Sequence, residues 1–84
     1  HDNAKYLAHA LNRLTDVSVN IQHVETNMVF AKFSPEVDIE NLVSALKTKG
    51  VLLSAGNPMR LVTHLDIDQA AIDKFIKLLS SQIN

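Results

Sequence analysis

The residue whose surroundings ask most for a chemical explanation is Arg60. It stands inside the apolar run Met59-Arg60-Leu61-Val62, directly after the turn-forming residues Ala55-Gly56-Asn57-Pro58. A guanidinium fork offers paired donors that match a planar carboxylate or a phosphate. The structural alternative is an edge strand whose charge blunts pairing with other chains. Pattern alone leaves both readings open. A second polar group, Glu25-Thr26-Asn27, leads into an apolar stretch. Such side chains cap a loop or line a cleft, the loop role being the commoner.

Other chemistries find little support. The four histidines, His1, His9, His23 and His64, include no pair at the helical spacing that presents two imidazoles to one metal ion. The absence of cysteine excludes thiolate sites, disulfides and thiol nucleophiles. None of the serines sits in a Gly-x-Ser-x-Gly elbow. Gly50 and Gly56 are too far apart to form a phosphate cradle. Lys47, Lys49, Lys74 and Lys77 fall at polar positions of helical patterns, where solvated faces are expected rather than nucleophilic amines.

Composition narrows the class further. With 84 residues there is room for a single domain of modest stability, and 46% hydrophobic content with two glycines and two prolines excludes collagenous and disordered chains. The net charge of -1 lacks the basic excess of a nucleic-acid module. No apolar run is long enough to span a bilayer. The opening His1-Asp2-Asn3, without an initiator Met and with an amphipathic pattern beginning at once, reads as a piece of a longer chain.

The elements that must position these side chains follow from periodicity. Ala4, Leu7, Ala8, Leu11 and Leu14 mark one face of a first helix, ended by Asp16. Val17, Val19 and Ile21 alternate with polar residues, as a weak strand or an extended connection. Thr26 to Phe33 is a clearer strand, apolar at both parities, so a cover on both faces is expected. Ser34-Pro35 stops it. A second helix starts at the cap Asp38, with Val37 and Leu42 as a hydrophobic staple, and ends at Gly50. Val51 to Ser54 reads as a short buried strand and Met59 to His64 as a strand returning beside it. Asp68 caps a last helix whose stripe is Ile72, Phe75, Ile76, Leu79 and Ile83. The order helix-strand-helix-strand-strand-helix predicts one α+β two-layer sandwich over residues 1-84, a small and mainly antiparallel sheet covered by helices.

Three stretches together resemble one family. Val24-Glu25-Thr26-Asn27-Met28-Val29-Phe30, then Gly50-Val51-Leu52-Leu53, then Met59-Arg60-Leu61-Val62-Thr63-His64-Leu65-Asp66 look like the C-terminal segment of threonine aldolases. The opening His1-Asp2-Asn3-Ala4 and the closing amphipathic helix fit the same family. The resemblance extends over essentially the whole chain, and the run from Arg60 to Asp66 is its most specific part.

That resemblance implies the small C-terminal domain of a pyridoxal-phosphate enzyme of the aspartate-aminotransferase fold type. The large domain of the same parent chain would hold the cofactor lysine, the carboxylate facing the pyridinium nitrogen and the phosphate loop. The implied reaction is retro-aldol cleavage of L-threonine or L-allo-threonine to glycine and acetaldehyde, in a cytoplasmic homotetramer with neither nucleic-acid nor membrane partners. Arg60 would clamp the substrate α-carboxylate and so fix the bond to be broken against the cofactor plane. Asn27 and His64 would support the cleft, and Asp66 the strand end and following helix. The fragment itself is then expected to hold no cofactor or metal and to be inactive alone. The competing expectation is a stand-alone small-molecule regulatory or interaction module of the same fold class. Another lyase or transferase of the same fold type is a third.

Overall fold

A computed structural model describes residues 2–24, 27–63 and 67–83. Helix α1 (Asp2–Asn12) buries Ala4, Leu7, Ala8 and Leu11, the stripe read from the sequence. Its end comes sooner than that stripe suggests. The amides of Arg13 and Leu14 turn back to the carbonyls of Ala10 and Leu11, a tighter closure that leaves Leu14 half-buried outside the helix. The Asn12 carboxamide then fixes the chain reversal. Its Oδ1 accepts from the Val19 amide at 2.6 Å and its Nδ2 donates to the Val19 carbonyl at 2.9 Å.

Strand β1 (Val17–Ser18) pairs antiparallel with β2 (Met28–Phe33), placing Val17 opposite Phe33 and Ser18 opposite Lys32. Beyond Ser18 the alternation read from Val19 and Ile21 gives way to a 3-10 turn, Ile21–His23, capped by the Asn20 side chain on the Gln22 amide. Helix α2 (Ile39–Lys47) begins where expected, with Asp38 accepting from the Asn41 amide at 3.1 Å. It closes with the amides of Gly50 and Val51 on the carbonyls of Lys47 and Leu46. That double closure needs a left-handed residue, and Gly50 supplies it at φ 85.

Strand β3 (Met59–Val62) pairs antiparallel with β2, with Val29 opposite Leu61 and Phe30 opposite Arg60. The stretch Val51 to Ser54 carries no ladder. Its apolar run suits a strand locally, and β3 leaves an open edge beside it, but the hydrogen bond found there comes from a side chain, Ser54 Oγ donating to the Arg60 carbonyl at 3.4 Å. The Asn57 side chain terminates the pairing instead. Its Oδ1 accepts from the Phe33 amide and its Nδ2 donates to the Phe33 carbonyl, each at 2.9 Å, where another backbone pair would have continued the ladder. Helix α3 (Gln69–Ile83) follows the cap Asp68, whose carboxylate accepts from the Ala71 amide at 2.9 Å.

Among the described residues these elements give three helices and a three-stranded antiparallel sheet, the α+β arrangement expected. Val17, Val29, Ala31, Phe33, Met59 and Leu61 share one sheet face and join the buried residues of the helices in one core. Asn3 Nδ2 donates to the Ile67 carbonyl, tying the start of α1 to the entry of α3.

The Tyr6 hydroxyl bridges the same two helices by donating to Asp73 Oδ1 at 2.5 Å. That hydrogen bond, more than any other influence, raises the phenol above its ordinary value of 10.0. A raised folded-state value means the bridge is intact below the ordinary phenol range and is lost as pH climbs through the raised value. The chain has one tyrosine, so an ultraviolet titration reads this group alone. The expected midpoint lies above 10.0 in the native chain and falls back toward it in Asp73→Asn. Identical midpoints in the two would show that the bridge does not exist in solution.

Candidate functional site

The same strands that feed the core also carry a second face. Ser18, Met28, Phe30, Lys32, Arg60 and Val62 occupy the alternate positions, and Phe30 and Val62 are 47% and 38% exposed. The sequence led us to expect a cover on both faces of β2; the described residues cover only one. Helix α1 packs on the core face of β2, and α2 and α3 pack behind it.

Arg60 projects from this open face, opposite Phe30 in the ladder. Directly opposed side chains of antiparallel strands lie within contact range, so a phenyl ring flanks the base of the arginine arm. Among the described residues, no carboxylate pairs with the guanidinium. β3 is also the edge of the sheet, so the edge-strand reading of Arg60 is compatible with the topology. Its main chain is fixed by β2, and its carbonyl accepts from Ser54 Oγ at 3.4 Å.

Beside β3 lies a cavity of about 600 Å³, bounded by Val51 to Ser54, β3 and α3. Leu53, Leu61, Ile72 and Phe75 supply apolar walls, while Lys49 and Lys74 add positive charge with Arg60. Leu52, on the bounding segment, is 80% exposed.

The remaining expected residues are placed unequally. The Asn27 carbonyl accepts from the Thr63 amide at 2.8 Å and from Thr63 Oγ1 at 3.2 Å, extending the β2–β3 pairing by one step. Asn27 therefore supports the end of the strand that carries Arg60. His64 and Asp66, like Glu25 and Thr26, lie outside the described residues. The sequence reading missed Phe30 as a neighbour of Arg60. Its signal was the two-sided apolarity of β2, which announces a second surface without saying which residue of β3 shares it.

What this arrangement can do is present a rigidly mounted guanidinium to a carboxylate. Lys5, Lys32, Lys47, Lys49, Lys74 and Lys77 are all exposed, so none has the desolvated setting that makes an amine nucleophilic. Pyridoxal phosphate does not fit the described residues, whose lysines are all solvated. Among the described residues, no group of three or more His, Cys, Asp or Glu side chains could hold a metal ion. No described helix is long and apolar enough to cross a membrane.

Comparison with known proteins gives this geometry a context. The chain is 38% identical over 71 residues to low-specificity L-threonine aldolase 1 of Arabidopsis thaliana, a match covering 80% of this chain and 20% of that protein. It is 33% identical over 69 residues to the low specificity L-threonine aldolase of Escherichia coli K12, covering 82% of this chain and 20% of that protein. The chain fits a threonine aldolase C-terminal fragment. The counterpart from Escherichia coli O157:H7 matches at the same 33% over 69 residues. No family model matches. The chain spans about a fifth of the length of the curated relatives it matches.

Proposed function

We propose that this chain is the small, substrate-clamping domain of a threonine aldolase, with Arg60 holding the α-carboxylate of L-threonine or L-allo-threonine. The observation that carries the reading is Arg60 itself, outward on an apolar strand and, among the described residues, without a carboxylate partner. The similarity to threonine aldolases supplies the substrate class.

Two parallel N–H donors of the guanidinium meet the two carboxylate oxygens, which fixes the plane of the substrate as well as its position. Mounting the fork on a paired strand rather than a loop limits its excursions, and orientation is what cleavage of one particular Cα–Cβ bond requires. Phe30 and Val62 keep water from part of the surroundings and so favour the pairing of opposite charges. Pyridoxal phosphate, held by the rest of the parent chain, supplies the electron sink for the bond cleavage. The fragment alone then binds a carboxylate weakly and catalyses nothing. Cytoplasmic residence and a homotetramer belong to the same reading.

The test is made on the full-length parent chain, loaded with pyridoxal phosphate and given L-threonine. Acetaldehyde and glycine should appear in equal amounts, and neither should appear without the cofactor. A loaded enzyme that consumes threonine without releasing acetaldehyde would move the chemistry to another lyase or transferase. Amino-acid binding by a chain that takes up no cofactor would instead favour a regulatory module.

A further inference from the structure

We propose that Asn57 is a positioning residue for Arg60: the hydrogen bonds of its carboxamide to Phe33 hold the end of β3 from which the guanidinium projects. The inference rests on the clamp reading of Arg60 and adds what aims the clamp. The Thr63 amide donates to Asn27, the residue directly across the ladder, which makes these two a hydrogen-bonded pair. Such pairs alternate along antiparallel strands with pairs that share no backbone bond. By that alternation Leu61 with Val29 and Met59 with Ala31 are bonded pairs, whereas Arg60 with Phe30 is not. The main chain of Arg60 is therefore held to β2 only through its neighbours.

The next bonded position would set the backbone of Asn57 against Phe33. The Asn57 side chain takes that place, with Oδ1 on the Phe33 amide and Nδ2 on its carbonyl. On the other side of β2, the Ser34 amide donates to Asp16, so Phe33 and Val17 form an unbonded pair and the polar groups of Phe33 turn toward Asn57. Ala55, Gly56, Asn57 and Pro58 are all exposed, so no buried side chain of that segment anchors the start of β3. Burial of Met59 and Leu61 decides which face of β3 meets the core, but it does not stop the strand end from fraying. Without the clip, Met59 with Ala31 becomes the last bonded pair, directly beside Arg60. At the far end of β3 the Thr63 amide keeps its bond whatever the side chain. Asn57 is thus the side chain whose loss loosens the mount of the arginine.

The experiment is steady-state kinetics on the full-length parent chain with pyridoxal phosphate and L-threonine, comparing Asn57→Ala with Asn12→Ala. Asn12 makes the same two kinds of hydrogen bond, to Val19 just after β1, at the edge of the sheet away from β3. It controls for the loss of a clip as such. Asn57→Ala should lower kcat about tenfold, because a displaced clamp misaligns the bond to be broken, and should change KM by less than about twofold, because the guanidinium charge remains. Asn12→Ala should keep wild-type constants at a temperature where both variants are folded. Equal kinetics in the two variants, whether both unchanged or both impaired, would overturn the assignment. Asn57→Asp keeps the acceptor for the Phe33 amide and loses the donor to its carbonyl, so it should lower kcat by a smaller factor. It decides the matter if Asn57→Ala does not fold, and a wild-type kcat there would also overturn the assignment. If Arg60→Gln itself left the kinetics unchanged, the clamp reading would fall and this inference with it. If Arg60→Gln were impaired while Asn57→Ala matched Asn12→Ala, only the role of Asn57 would fall.

Discussion

In the full-length parent chain proposed above, Arg60→Gln is expected to lower kcat/KM for L-threonine by roughly a hundredfold, the equivalent of about 3 kcal/mol for a bidentate charge-assisted contact. The loss should divide between the two constants. KM rises because the carboxylate loses its counter-charge, and kcat falls because the substrate plane is no longer set. Arg60→Lys separates the two contributions, since an ammonium restores charge without the planar fork. It should recover much of KM and little of kcat. Steady-state kinetics over a range of threonine concentrations make the measurement. Wild-type values of both constants in Arg60→Gln would remove the clamp from the mechanism.

The largest expected effect on stability lies three residues from Phe30, on the other side of the same strand. Phe33 is 2% exposed and among the largest fully buried side chains, whereas Phe30 is 47% exposed. Phe33→Ala should cost about 3–5 kcal/mol through lost burial and the cavity left behind. A domain of this length has a total stability of about 4–13 kcal/mol at the usual value per residue. The variant therefore loses from about a quarter to all of that stability. Phe30→Ala in the same 84-residue chain should cost less than about 1 kcal/mol, because its ring leaves little space behind. Denaturant titration of the two variants compares identical chemistry on opposite faces. Coincident midpoints would mean that the assignment of core and open face is wrong.

The contrast between these phenylalanines also shows what could be read from the chain. Helix starts were legible because their signals are local. Asp38 and Asp68 each cap the helix expected of them, and Gly50 ends α2 with the backbone angle that favours glycine. The end of α1 was less legible, since Leu14 keeps the apolar spacing while the backbone has already left the helix at Asn12. Strand pairing was the hardest part. Val51 to Ser54 has the composition of a strand and runs beside the open edge of β3, yet no ladder forms, because pairing depends on backbone alignment and not on composition. The Asn12 and Asn57 clips are likewise invisible locally, because a carboxamide that replaces a backbone partner looks like any other polar loop residue. For the candidate site, Arg60 stood out by type and setting, whereas its pairing with Phe30 depends on register. Register is set by the alignment of two distant strands.

The Asn57 clip has a practical consequence for redesign. By holding both backbone groups of Phe33, it resets the alignment of β3 from a single side chain, independently of the path taken before it. Ala55 and Gly56, both exposed, therefore form a natural graft point. A peptide epitope or a longer specificity loop spliced between them enlarges a closure whose entropic cost grows only slowly with length. The incoming chain would still be delivered to Met59 in register.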